Sequence, residues 1–119
     1  MSRSARGLAG FLGFAGVTHF VRPDFYDPIV PHKLPGSPRF WTYVSGAAEL
    51  AVAATVLMPK TRKVGGVLAA GLFVAVFPGN LQMAYDWRDR SARERAIAYS
   101  RLPLQLPRVL WGLRVARQA

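Results

Sequence analysis

The stretch from Val64 to Tyr85, VGGVLAAGLFVAVFPGNLQMAY, decides the fold class of this 119-residue chain. It contains no charged side chain, and up to Met83 its only strongly polar side chains are Asn80 and Gln82. A helix of a soluble bundle needs a polar stripe facing water, and this stretch offers none. Because a bilayer core about 30 Å thick takes about 20 apolar helical residues, the stretch predicts a transmembrane helix.

Three further apolar stretches flank this one. Phe40–Met58 carries one charge, Glu49, and Gly7–Val21 carries none, whereas Leu102–Val115 is shorter and contains two arginines and two prolines. We therefore predict an all-α fold, an integral membrane four-helix bundle, as a single transmembrane domain over residues 1–119. The predicted helices cover residues 5–21, 39–58, 64–86 and 101–117. The alternative, a small soluble domain with four buried helices, lacks the polar stripes that it would need.

The composition limits the partners of the chain. Sixteen Lys and Arg against six Asp and Glu give a formal net charge of +10, which favours an anionic membrane surface or nucleic acid. The arginines occur at both ends of the predicted bundle and no recognition fold accompanies them, so we expect membrane lipids and no nucleic acid as partners. Cysteine is absent. A disulfide scaffold, a thiolate metal site and cysteine redox chemistry are thereby excluded.

Four spans would place both termini on one side of the membrane, which we call side one, and the two long loops on side two. The tight hairpin Pro59–Lys63 on side one is basic and contains no acid. Basic loops stay in the cytoplasm, so we predict a multi-pass plasma-membrane protein with cytoplasmic N- and C-termini. A secretory signal peptide is the alternative for the first helix, but no A-x-A cleavage site follows it.

Side two carries the unusual sequence. Five of the nine prolines lie between residues 22 and 39, interleaved with apolar side chains. Such backbone cannot form one continuous helix, so we predict a Pro-rich interfacial segment between helices 1 and 2, folded over the helix ends. In the second loop, Ser91 and Glu94 have capping-box spacing. They predict a short helix over residues 92–99.

Glu49 lies at the centre of its apolar span, where an acidic side chain costs about 2.5–3.5 kcal/mol and needs a partner or a purpose. Thr42 and Ser45 share its helical face, and polar side chains of the other helices fall at similar depths. The predicted pocket on the side-two half comprises His19, Ser45, Glu49, Asn80, Gln82, Arg101 and Gln105. A buried hydrogen-bond network that fixes helix register explains the same pattern. With no cysteine and a single intramembrane histidine, we predict no metal site.

Several motifs occur in an order that resembles the DoxX-like family of small bacterial membrane proteins. They are Gly16–Phe20 (GVTHF), Ser45–Glu49 (SGAAE), Leu57–Arg62 (LMPKTR), Phe77–Asn80 (FPGN) and Arg101–Gln105 (RLPLQ). The resemblance implies a four-helix protein of the bacterial plasma membrane, linked in some members to quinone-coupled sulfur oxidation and in others to complexes of thiol stress. It implies quinone as the cofactor class. Because this chain lacks cysteine, thiol chemistry cannot come from it.

Three functions remain open at this level. The first is an accessory or binding subunit that holds a quinone, a lipid or another small lipophile in the polar pocket. The second is a quinone-linked oxidoreductase component, or an isomerase, that uses Glu49 as acid and base. The third is a membrane scaffold or assembly protein, whose glycine-lined helices would dock on a membrane protein partner or on a second copy of the chain.

Overall fold

The computed structural model describes residues 1–31 and 33–119, and the regular elements in these residues are all helical. A 3₁₀ turn, Asp27–Ile29, follows the second α-helix. The α-helices are α1 (Arg3–Val21), α2 (Pro23–Tyr26), α3 (Pro38–Leu57), α4 (Arg62–Ala75), α5 (Phe77–Asp86), α6 (Ala92–Ser100) and α7 (Gln105–Gln118). The all-α fold class is confirmed.

Three serines fix where helices begin. The hydroxyl oxygens of Ser2, Ser37 and Ser91 each accept a hydrogen bond from the backbone N–H three residues later, at 3.1–3.2 Å. These caps satisfy N–H groups that have no partner within the helix. As a result α1 begins two residues before the predicted helix 5–21, and α3 begins one residue before the predicted helix 39–58. The predicted short helix 92–99 is α6, which extends one residue further.

The predicted helix 64–86 is interrupted. In the structure α4 ends at Ala75 and α5 begins at Phe77, with Val76 between them outside both helices. Pro78 explains the break, since it has no N–H to donate to the Val74 carbonyl and its ring crowds the preceding turn. The two helices remain one continuous run, Arg62–Asp86.

The predicted start of the fourth helix is wrong. Residues 101–104 form turns, and α7 begins only at Gln105. Pro103 disfavours helical geometry in the residue before it, whereas Pro107 falls in the first turn of α7, where a missing N–H costs nothing. With 14 residues, α7 is about 21 Å long.

The helices pack in the spatial order α1, α3, α4, α7, with each helix against the next. Their shared core is small and apolar, and includes Leu8, Leu12, Val56, Phe73 and Val115. Glycines allow the closest approaches at two helix–helix contacts. A Cβ on Gly46 of α3 would lie 2.6 Å from the His19 Cβ of α1, and a Cβ on Gly66 of α4 would lie 2.6 Å from the Gly112 carbonyl oxygen of α7.

Two runs are long and apolar enough to cross a membrane, α3 (Pro38–Leu57) and the run Arg62–Asp86 formed by α4 and α5. Neither α1 nor α7 meets the same length and hydropathy criteria among the described residues. The prediction of membrane-spanning helices is therefore supported for two helices and not for four.

Candidate functional site

A cavity of about 690 Å³ lies between α1, α3 and the run α4–α5. The Pro-rich segment covers it, and its lining there is mostly apolar: Tyr26, Ile29, Val30, Pro31 and Leu34. We call the described residues of this segment, 22–31 and 33–37, the roof. Of the seven predicted pocket residues, five line this cavity: His19, Ser45, Glu49, Asn80 and Arg101.

The roof is fastened to α3 at two points. Asp27 accepts hydrogen bonds from the Thr42 hydroxyl at 2.7 Å and from the Arg39 Nε at 2.9 Å. Further along, the Trp41 indole N–H donates to the Pro35 carbonyl at 2.6 Å. Thr42, on the same helical face as Glu49, is thus a fully buried anchor of the roof.

His19 and Glu49 meet at the wall of the cavity. The His19 Nε2 lies 3.3 Å from the Glu49 Oε1, and each side chain is 9% exposed. The His19 Nδ1 lies 2.6 Å from the Ala15 carbonyl oxygen, which can only accept, so Nδ1 carries a hydrogen. The contact between Nε2 and the carboxyl is then favourable when one proton lies between them. The pair is therefore either neutral acid with neutral imidazole or carboxylate with imidazolium.

Tyr26 of the roof holds the His19 ring in place. The two rings stack with centroids 3.7 Å apart and an interplanar angle of 14°. The Thr18 hydroxyl donates to the Ala15 carbonyl at 2.7 Å, so the Tyr26 hydroxyl, 2.6 Å from the Thr18 oxygen, is the donor in that contact. Thr18 and Tyr26 also line the cavity. Sequence reasoning missed both, although the Thr-His pair at the end of α1 was a visible signal.

Two arginines, Arg101 and Arg108, also line the cavity. Arg101 Nη1 lies 3.0 Å from the Met83 sulfur, and Arg108 Nη2 donates to the Arg101 carbonyl at 3.0 Å. Among the described residues no carboxylate lies within 4.0 Å of either guanidinium. Arg108 was not among the predicted pocket residues. No signal in α7 singled it out, because the same helix also contains Arg114 and Arg117.

Asn80 also lines the cavity and carries a hydrogen-bond donor, its side-chain amide nitrogen Nδ2. It is 3% exposed, and its Nδ2 has no hydrogen-bond partner among the described residues. A buried amide nitrogen without a partner costs about 1–3 kcal/mol. An occupant of the cavity that accepts a hydrogen bond would remove that cost.

Gln82 and Gln105 do not line the cavity, which corrects the prediction for both. Gln82 follows Asn80 by two residues, or about 200° around the helix, and donates to Asp86 at 3.0 Å outside the cavity. Gln105 donates to the Phe73 carbonyl at 2.6 Å and thereby ties α7 to α4 next to the break at Val76. The described residues contain no group of three His, Cys, Asp or Glu side chains that could hold a metal ion.

Residues 8–116 match a protein family described as a domain of unknown function, DUF8561. The chain belongs to this family. No curated protein and no solved structure matches the chain. The matched range contains the whole lining of the cavity, from Phe11 to Arg108.

Proposed function

We propose that this protein is an integral membrane protein of the DoxX-like type in a bacterial plasma membrane, where it binds a small lipophilic molecule. On this proposal it acts as an accessory or binding subunit. The lipophile, with a quinone or a lipid as the leading classes, occupies the cavity under the roof. The order of the motifs along the chain supports the DoxX-like assignment.

Exposed apolar surface supports the membrane location. In each of the two apolar runs, only 33% of the most hydrophobic window is buried inside the protein. The core helix of a soluble protein is mostly buried, whereas here large side chains such as Phe14, Val74 and Leu106 are 55–75% exposed. A soluble monomer rarely exposes contiguous apolar surface of this kind. Lipid tails would cover it.

We propose four spans, with α1 and α7 as the outer two. α1 packs along α3 and α7 packs along α4, so each outer helix shares the membrane layer of its partner. α1 has 19 residues, about 28 Å of helix. α7 is shorter, and the turns at residues 101–104 complete its passage toward side two.

Single cysteines test this topology, because the chain has none of its own. We expect Asp89→Cys, on side two, to react with a membrane-impermeant maleimide in intact cells, and Pro59→Cys, on side one, to react only after permeabilisation. The difference should be roughly tenfold or more, since the basic side-one loop stays in the cytoplasm. Gel-shift labelling measures it. Equal labelling of both positions in intact cells would contradict the four-span orientation.

The observation that carries the binding proposal is Asn80 Nδ2, which has no partner among the described residues and lies in a cavity whose lining combines many apolar side chains with a few polar ones. Pockets for small lipophiles have this composition, with few polar groups that set the orientation of the ligand. His19 and Glu49 line the same cavity and offer a second polar contact, and the two arginines add positive charge. A molecule with oxygen atoms at both ends of a flat apolar ring, as in a quinone, suits the donors at Asn80 and at the two arginines.

Substitution of Glu49 tests the binding proposal. We expect Glu49→Gln to weaken binding of a short-chain benzoquinone by about tenfold, because the carboxyl group that faces the ligand and His19 is lost. Trp41 lines the cavity, so quenching of its fluorescence in detergent reports binding. Trp41→Phe defines the background from the two other tryptophans.

Glu94→Gln is the matched control, since it makes the same chemical change on the exposed helix α6. It should leave the quinone affinity within twofold of wild type. If both variants bind equally well, or if Glu49→Gln changes only the melting temperature, the cavity is not the binding site.

A second candidate is acid–base catalysis by Glu49. The position of Glu49 in the cavity lining, 3.3 Å from the His19 Nε2, favours it, since a general acid or base must reach its substrate. If the protein is an enzyme, it converts an added lipophilic ketone in deuterated water and the product contains deuterium. Glu49→Gln abolishes this turnover. A binding subunit leaves the ketone unchanged.

A further inference from the structure

A second groove lies at the side-one end of the bundle, well away from the roof. Its volume is about 1250 Å³, and it runs between the start of α1, the start of α4 and the second half of α7. Its lining includes four cations and several apolar side chains. The side chains that matter here are Arg3, Lys63, Val67, Leu110, Arg114 and Arg117.

The four cations of this groove are not neutralised by the protein. Arg3, Lys63, Arg114 and Arg117 are all exposed, and among the described residues no carboxylate lies within 4.0 Å of any of them. The six acidic side chains of the chain lie elsewhere, in the roof, at mid-α3 and around the loop before α6. The Ala119 carboxylate lines the groove but forms no ion pair with these four cations within 4.0 Å. Neither α1 nor α4 has an acidic residue in its first turn. The N-terminal ends of these two helices add positive potential here, and the C-terminal end of α7 adds negative potential.

The groove also has an apolar half. Along α7, Pro107 and Leu110 precede Arg114 and Arg117, so apolar surface gives way to positive charge over about 15 Å. Val67 of α4 extends the apolar floor. On the far side, the Trp111 indole N–H donates to the Ser4 carbonyl at 3.0 Å and braces α1 against α7. The groove thus matches a molecule with a negatively charged head and hydrocarbon tails.

We propose that this groove binds an acidic phospholipid of the side-one leaflet whose headgroup carries two phosphates. The phosphates lie among Arg3, Lys63, Arg114 and Arg117, and the acyl chains follow Val67 and Leu110 toward the middle of the bilayer. Four uncompensated cations match two phosphates better than one. The inference rests on the membrane location proposed above and is independent of the central cavity.

The test compares two double variants on the same side of the membrane. Arg114→Gln/Arg117→Gln removes two charges from the groove, whereas Arg6→Gln/Lys60→Gln removes two charges that do not line it. Each is titrated with cardiolipin in detergent and followed by native mass spectrometry. Because a basic side chain near a lipid headgroup contributes a separable share of the binding energy, we expect the groove variant to lose roughly 30-fold in affinity. The control variant should stay within about threefold.

Three results would overturn the proposal. An equal loss in both variants means that cardiolipin senses only the general surface charge. If the wild type retains phosphatidylcholine as well as it retains cardiolipin, the groove does not recognise the net negative charge of the headgroup. Equal stabilisation by inorganic pyrophosphate means that the ligand is a soluble phosphate and not a lipid.

The fluorescence titration with benzoquinone, run on the same variants, separates this proposal from the central cavity. We expect both double variants to bind the quinone like wild type. Loss of cardiolipin binding with quinone binding intact supports the groove. Intact cardiolipin binding by the groove variant contradicts it, whatever the quinone result.

Discussion

Gly66→Leu should separate α4 from α7 and lower the melting temperature by at least about 10 °C, the largest stability effect that we expect from one substitution. A Cβ at Gly66 would lie 2.6 Å from the Ala116 nitrogen and 2.6 Å from the Gly112 oxygen. Both are backbone atoms of α7, so no side-chain rotation relieves the contact. Overpacking typically costs about 1–3 kcal/mol, and a clash with backbone atoms belongs at the upper end of that range.

The separation of α4 from α7 also affects the cavity, because the turns at residues 101–104, which place Arg101, lead directly into α7. When α7 moves away from α4, the hydrogen bond from Gln105 to the Phe73 carbonyl is lost and Arg108 leaves the cavity wall. Thermal unfolding in detergent, followed by circular dichroism, measures the stability.

Gly71→Leu is the matched control for this prediction. Gly71 lies on the same helix, but no atom lies within 4 Å of an added Cβ, and the residue is exposed. We expect its melting temperature to change by less than about 3 °C, because only helix propensity is affected. If Gly66→Leu is as stable as Gly71→Leu, the close contact between α4 and α7 does not exist in solution.

Ala48→Phe should abolish quinone binding while the protein stays folded, which is the largest functional effect that we expect. Ala48 lines the cavity between Ser45 and Glu49. A phenyl ring there would occupy the space beside the carboxyl group that the ligand needs. We therefore expect the quinone affinity, measured by quenching of Trp41 fluorescence, to fall by roughly 30-fold or more. The phenyl ring does not interfere with tryptophan fluorescence, so the titration remains readable.

The neighbouring residue provides the comparison. Ala47 is exposed and does not line the cavity, since it lies about 100° further around α3. Ala47→Phe adds the same ring on the outer surface and should bind the quinone within twofold of wild type. Loss of binding in both variants would mean that α3 tolerates no added bulk, and equal binding in both would mean that the ligand lies elsewhere.

The helices of this chain could be predicted from sequence because apolar periodicity and capping residues are local signals. Ser37 with Pro38 marks the start of α3, and Ser91 with Glu94 marks α6. The break at Val76 and the late start of α7 were harder to predict. A proline tells where a backbone hydrogen bond is missing, but not whether packing keeps the chain helical on both sides of it.

The meeting of His19 with Glu49 was also within reach of sequence reasoning. Both side chains are costly in an apolar segment, so each indicates that a partner exists, and depth along the helix then limits the choice. Gln82 and Gln105 were misplaced because depth says nothing about rotation around the helix axis. Tyr26 was missed because the fold of a proline-rich segment depends on contacts with distant residues, here Thr18 and His19.

The arrangement around the imidazole has an electrical consequence. With Nδ1 committed to the Ala15 carbonyl, the proton shared with the carboxyl can sit on either partner, and the pair sums to zero charge both ways. Movement of that proton between the two side chains therefore leaves the net charge of the cavity wall unchanged.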